Sequence, residues 1–342
     1  MPADHAGATE PTLAPALLTE IAHLKEIAAA VRESVGRVIV GKTDTIDLLL
    51  IALLCEGHVL LEDVPGIGKT TLAKALARSL DCSFQRIQFT PDLLPSDITG
   101  VSVYNQKTGE FEFRAGPLSA QVVLADEINR AGPRTQSALL EAMEERQVTV
   151  DGQTRPLPRP FLVLATQNPV ELEGTFPLPE AQVDRFLMRV GLGYPDEDEE
   201  RAILRRFRTQ NPLAGLGAVA SAADLLRLQA TVREVYVHPA VEAYILRLIR
   251  ATREHAAVQL GASPRGTLAL YRGAQARAAI AGRAYALPDD VKALVQPVLG
   301  HRVMTTSQAR VRGKAASDVL QEIAAATPVP VEESWSVEEA AS

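Results

Sequence analysis

Between residues 58 and 195 the chain alternates short apolar runs with longer stretches in which apolar residues recur at helical spacing. The runs at 58–62, 83–89, 121–125, 161–165 and 186–191 are mostly continuous, the pattern of strands buried on both faces of a parallel sheet. The stretches at 70–80 and 135–145 read as helices, the second with Leu139, Leu140 and Met143 on one side. Strands that alternate with helices predict the α/β class, here a five-stranded parallel sheet between helices.

Two segments interrupt that pattern with strict alternation. Val101 to Tyr104 and Phe111 to Phe113 flank a polar turn containing Lys107, Thr108 and Gly109, and Val148 to Val150 runs into Asp151-Gly152, a two-residue hairpin signal. Each reads as a hairpin inserted into the sheet-and-helix core, and spacing alone allows it to be a surface ornament. Beyond Tyr194-Pro195 and a run of acidic residues the strand pattern stops, and helices are expected near 240–255, 267–282 and 288–299. The chain therefore divides into a tail at 1–20, an α/β nucleotide-binding region at 21–195, a helical lid at 196–328 and an acidic, disordered tail at 329–342.

Composition narrows the class. With 46% hydrophobic and 23% charged residues over 342 positions, the chain is an ordinary globular protein long enough for two domains. The longest apolar run, 46–55, contains Asp47 and is far shorter than the roughly 20 residues a membrane span requires. The first residues lack the basic and apolar regions of a secretory signal, so a cytoplasmic location without membrane insertion is expected. A net charge of −7 argues against a general nucleic-acid surface. The two cysteines, Cys55 and Cys82, lie in apolar stretches without metal-site spacing and read as thiols in a reducing compartment.

Candidate chemistry concentrates where an apolar strand passes through Asp63-Val64-Pro65-Gly66-Ile67-Gly68-Lys69-Thr70-Thr71 into a helix. Glycines let successive backbone N–H groups turn toward an anion at a helix N-terminus, Lys69 can reach the β- and γ-phosphates of ATP, and Thr70 offers a hydroxyl to Mg2+. The pattern GxxxxGK[ST] calls for glycine at 63, where this chain has Asp63. Further on, Val122 to Ala125 ends in Asp126-Glu127, which places two carboxylates at the ligand edge of a buried parallel strand. Asp126 is expected to hold Mg2+ through its water shell, and Glu127 to orient and deprotonate the water that attacks the γ-phosphate. A third strand ends in Ala165-Thr166-Gln167-Asn168-Pro169, where Asn168 could position that water or simply form a turn.

Together with Phe89-Thr90-Pro91-Asp92-Leu93-Leu94-Pro95-Ser96-Asp97, Asp126 to Ala131, Leu139 to Glu145 and Pro179 to Phe186, these stretches make the chain resemble AAA+ ATPases of the MoxR family over most of residues 36–310. The resemblance implies an AAA+ P-loop domain followed by an all-α lid. It assigns Lys69 to Walker A, Asp126 and Glu127 to Walker B and Asn168 to sensor 1, and makes the hairpins the helix-2 insert and the pre-sensor-1 hairpin. It further implies a homo-oligomeric, hexameric ring in which Arg185 of one subunit completes a neighbour's ATP site, although Arg185 could equally pair with Asp184 or Glu180. Arg265, near a lid helix start, resembles sensor 2 or is a solvated arginine. Val40 and Gly41 match the family's adenine-side segment, and Ile39 and Val40 could also be core contacts. The implied work is ATP-driven maturation or remodelling of a protein client, possible clients including von Willebrand factor A domain proteins. Metal-chelatase motors and nucleic-acid translocases share these hairpins; a translocase would need basic residues such as Lys107, Arg114 or Arg155 facing a pore. A nucleotide-dependent binding switch with little turnover is a further alternative, disfavoured by intact Glu127 and by the lack of an Asn-Lys-x-Asp guanine signature.

Overall fold

A computed structural model of the chain describes residues 15–167, 175–208 and 211–330. Packing separates it into a unit of residues 26–229 and a second unit of 230–330 with the described start of the chain, 15–25. The first helix, α1 (Pro15–Gly36), begins inside the segment expected as a tail. Its apolar stripe of Leu17, Ile21, Leu24, Ala28, Val31 and Val35 keeps three- and four-residue spacing and is buried throughout.

The first unit continues with α2 (Thr43–Leu54), β1 (Val59–Glu62), α3 (Lys69–Ser79), β2 (Phe84–Gln88) and α4 (Pro95–Thr99). A hairpin of β3 (Gly100–Asn105) and β4 (Glu110–Ala115) follows, then β5 (Val122–Asp126), α5 (Pro133–Glu145) and a second hairpin of β6 (Gln147–Val150) and β7 (Gln153–Pro156). The remaining elements are β8 (Leu162–Gln167), α6 (Glu180–Val183), β9 (Met188–Val190), α7 (Glu197–Phe207) and α8 (Ala222–Arg233). Strands β2, β5, β8, β1 and β9 lie in that order in one sheet, parallel throughout. Val122 to Ala125 and Leu162 to Ala165 are all at most 1% exposed, which accounts for their unbroken apolar sequence. On one face Leu60, Val123 and Val163 join Phe89, Leu139 and Met143 in a common core.

Both expected hairpins form. Asp151 and Gly152 have positive φ, 51° and 74°, as a type I′ turn demands. The hairpins touch each other: the Arg155 guanidinium of β7 lies 4.2 Å from the centroid of the Phe113 ring of β4. Arg155 is thus engaged within the fold rather than offered to a polyanion.

The expected division at Pro195 and the packing division after Gln229 differ by the segment that carries α7 and most of α8. Hydrogen bonds explain the difference. The Val219 amide donates to Ser79 O at 2.8 Å and the Gln229 side chain donates to Leu53 O at 2.7 Å, which fastens this segment to α3 and α2.

The second unit is built from α9 (Pro239–Glu254), α10 (Pro264–Ile280), α11 (Pro288–Leu299), α12 (Ser307–Val311) and α13 (Ala316–Ala326), with a small ribbon of β10 (Val258–Leu260) and β11 (Met304–Thr305). Tyr244, Leu248, Leu270, Leu294, Val298 and Leu320 fill its core. At Gly273 of α10 a Cβ would fall 2.8 Å from Leu294 Cδ1, so glycine permits the close approach of α10 and α11. Arg283 clamps the buried Asp290 carboxylate at 2.8 and 2.7 Å, and that pairing pushes the guanidinium pKa up. No helix among the described residues is long and apolar enough to cross a membrane. The acidic end expected to be disordered lies outside the described residues from 331 onward.

Candidate active site

The strand order places β1 between β8 and β9 while the next strand in sequence, β2, lies at the far edge, so the connections leaving the adjacent strands β1 and β8 run in opposite directions across the sheet. Ligand sites of open α/β sheets form at such switch points, beyond the strands' C-terminal ends. There, Gly66 and Gly68 adopt φ of +85° and +93°, and open space surrounds the position of an added Cβ at each. The loop therefore needs glycine for its backbone conformation, not for room. Gly68 is the N-cap of α3, whose first residues Lys69, Thr70 and Thr71 carry the helix's unpaired amides.

Pro65, Gly66, Gly68, Lys69 and Thr70 line a cavity of about 350 Å³ whose far wall is Arg86, Asp126, Glu127 and Thr166. The Lys69 ammonium donates to Asp63 O at 2.8 Å, folded back on its own loop. Burial pushes its pKa below the ordinary lysine value, against the opposing pull of Asp63, Asp126 and Glu127. The carboxylates are set by their neighbours. Thr166 donates its hydroxyl to Asp126 Oδ1 at 2.6 Å and accepts the Glu127 amide at 2.8 Å. Glu127 holds φ 58° and ψ 53°, a left-handed conformation that costs a non-glycine residue about 1–3 kcal/mol and recurs at functional sites. Its Oε2 accepts from Gln88 at 2.9 Å and from Arg130 at 3.2 Å.

Asp63 has a definite task. Its Oδ2 accepts the amides of Leu192 and, at 3.1 Å, Gly193, so it ties the start of the phosphate loop to the turn after β9. A glycine there could not make these bonds.

A second hollow of about 350 Å³ shares Pro65, Gly66 and Gly68 with the first. Val40, Ile67 and Thr71 line one side, and Tyr194, Ile203 and Phe207 another. Tyr194 and Phe207 are large aromatics left 74% and 43% exposed beside it, an arrangement suited to a flat heteroaromatic ring. Gly41 does not line the hollow but seats its wall: at φ +70°, any Cβ would lie 1.5 Å from Glu199 Oε1. Glu199 closes the capping box of α7 with Asp196 and pairs with Lys42 at 3.3 Å.

The structure thus gathers Val40 and Pro65 through Thr71 with Asp126 and Glu127. Arg185 is elsewhere. It follows α6 and pairs with Glu144 at 3.1 Å, a partner that its sequence neighbours did not suggest. The Leu187 amide donates to His58 O at 2.8 Å, which fixes this turn at the N-terminal edge of the sheet, opposite Lys69. Arg265 stands in the first turn of α10 in the second unit, where its amide donates to the Ser263 hydroxyl at 3.1 Å. Asn168 lies outside the described residues. Sequence reasoning missed Thr166, Gln88 and Arg86 on the phosphate side and Tyr194, Ile203 and Phe207 on the other. The polar Thr166 inside an otherwise apolar strand was the available signal.

Comparison with known proteins agrees with this geometry. Residues 58–188 match the model of the ATPase family associated with various cellular activities, and residues 250–323 match an AAA lid domain. The uncharacterized protein YeaC of Bacillus subtilis is 53% identical over 88% of this chain and 94% of its own length. Chaperone MoxR1 of Mycobacterium tuberculosis is 46% identical over 80% of this chain and 75% of its own length. The crystal structure of a candidate ATPase from Cytophaga hutchinsonii superposes with a TM-score of 0.86 at 40% identity, over 92% of this chain and 98% of that one. A glycine-bearing loop at a helix N-terminus facing paired carboxylates at the switch point of a parallel sheet, and likeness to these relatives along most of its length, make this chain a member of the MoxR family of AAA+ ATPases.

Proposed function

We propose that the chain binds ATP as its magnesium complex and hydrolyses it to ADP and phosphate, as a subunit of a homo-oligomeric, hexameric ring that matures or remodels a protein partner. The observation that carries the hydrolytic reading is the convergence of Lys69, Thr70, Asp126 and Glu127 on one cavity. The loop amides and Lys69 receive the phosphates. Thr70 and Asp126 are hard oxygen donors, and a single carboxylate with a hydroxyl suits Mg2+, which keeps waters and takes phosphate oxygens as further ligands. When bound, the metal neutralises charge on the phosphates. Glu127, held between Gln88 and Arg130, is the group placed to take a proton from attacking water. The hollow beside Val40, Tyr194 and Phe207 receives adenine.

The position of Arg185 on the sheet edge opposite Lys69 supports a role toward a neighbour's nucleotide rather than its own. Asn168 as sensor 1 and Arg265 as sensor 2 complete the reading. The name chaperone borne by a relative supports a protein client; the von Willebrand factor A class is the client expected from the family resemblance alone. The cytoplasm supplies ATP and would keep Cys55 and Cys82 as thiols.

Mixing subunits tests the ring. Arg185→Ala and Lys69→Ala chains, each inactive alone, should regain phosphate release when mixed, because intact half-sites then meet. Mixtures that stay inactive would count against a shared site.

A further inference from the structure

Two basic side chains among the described residues line the phosphate cavity, Lys69 and Arg86. Arg86 comes from β2, the edge strand beside β5, where Arg86 pairs with Leu124 and Gln88 with Asp126. Period-two alternation puts Arg86 and Gln88 on one face. From there the Arg86 Nε and Nη2 both donate to Asp126 Oδ2, at 3.0 and 2.6 Å. Thr166 already occupies Oδ1. Each oxygen of the carboxylate expected to hold the metal's water shell is therefore engaged by a donor from this same chain, and the Asp126 side chain is only 15% exposed.

A hydrated divalent cation and a guanidinium are rivals for such a carboxylate. Each satisfies its charge and its lone pairs, and among the described residues the cavity's other carboxylate is Glu127, whose Oε2 is taken by Gln88 and Arg130. The geometry points to Arg86 as a positioning residue that neutralises Asp126 before metal arrives and must give up Oδ2 for the cation to settle. Metal entry then becomes conditional on nucleotide, because the phosphates supply the negative charge that the displaced guanidinium requires. Free cation alone meets an Asp126 already satisfied. The Arg86 Nη2 also donates to Gln88 Oε1 at 2.7 Å, so side chains hold the guanidinium and its release breaks no backbone bond. This inference rests on the proposed role of Asp126 in holding the metal.

The test is titration of Mn2+ into the full chain with ADP, free Mn2+ being read by electron paramagnetic resonance. Arg86→Gln removes the charge and the fork, and should tighten Mn2+ binding about tenfold, the scale of one charge-assisted hydrogen bond. Arg86→Lys, a point charge without the fork, should fall between the two. Asp126→Asn should weaken Mn2+ binding and, combined with Arg86→Gln, erase the gain. Mn2+ affinity that is unchanged or weaker in folded Arg86→Gln overturns the inference, and so does Arg86→Lys binding as tightly as Arg86→Gln. If Asp126→Asn binds Mn2+ as well as the unmodified chain, the role of Asp126 fails and takes the inference with it. Thermal melts identify folded variants, and Arg86→Lys decides the matter should Arg86→Gln not fold.

Discussion

The Asp63 carboxylate accepts the Gly193 amide at 3.1 Å, across 130 positions of sequence. The position at which the phosphate-loop pattern is broken is thus the one that fastens the loop to the far side of the hollow proposed to receive the base. Replacement by Ala leaves the amides of Leu192 and Gly193 without their acceptor and should cost about 1–3 kcal/mol. Asp63→Gly, which restores the common pattern, should be as destabilised or more so, since glycine adds chain entropy. Urea denaturation of the two variants checks this, and unchanged midpoints would contradict it.

Thr166 holds both acidic residues of the cavity, the Asp126 carboxylate through its proton and the Glu127 amide through its lone pair. Thr166→Val keeps the shape and removes the hydroxyl. Turnover should fall about 10–100-fold, the usual scale for the loss of a group that orients a site, with nucleotide affinity changed little. Thr166→Ser should restore most of the rate. Equilibrium binding of a fluorescent ADP alongside phosphate release separates the two effects.

His58 gives a pH prediction. Buried at the head of β1, its Nδ1 accepts the Val163 amide at 3.0 Å, so Nε2–H donates to Met143 O, also at 3.0 Å. The neutral ring is saturated, and burial pushes its pKa down from 6.5 to about 4. Between those values the unfolded chain binds more protons than the folded one, so stability rises with pH in that window. The contribution is complete above pH 6.5 and is lost as pH falls toward 4; it amounts to roughly 3 kcal/mol. His58→Gln should melt lower at pH 7.5 but show a shallower fall in stability between pH 6.5 and 4.5. Parallel curves would contradict the assignment.

Much of this was legible in the sequence wherever structure is local. The strand-loop-helix at Lys69, the acidic pair closing β5 and the Asp151-Gly152 turn each declare themselves within a few residues. Arg86, Gln88 and Thr166 do not, because their roles depend on the register that sets β2 and β8 on either side of β5. A basic residue on an edge strand otherwise reads as a solvated one. The same holds for α7. Its amphipathic pattern suits a helical lid as well as a wall of the hollow beside Val40, and contact with Gly41 across some 160 positions sets it against that hollow. Arg185 shows a further limit: its neighbours in sequence suggested one ion pair, and the fold supplies another with Glu144.

The proposed role of Glu127 as the base of an ATP-hydrolysing site built on Lys69 and Asp126 is best checked by measuring ATP binding and phosphate release on the same preparation of Glu127→Gln. ATP affinity should stay close to that of the unmodified chain, with phosphate release lower by about 100-fold or more. Release at the unmodified rate, from a variant that binds ATP normally, would contradict it.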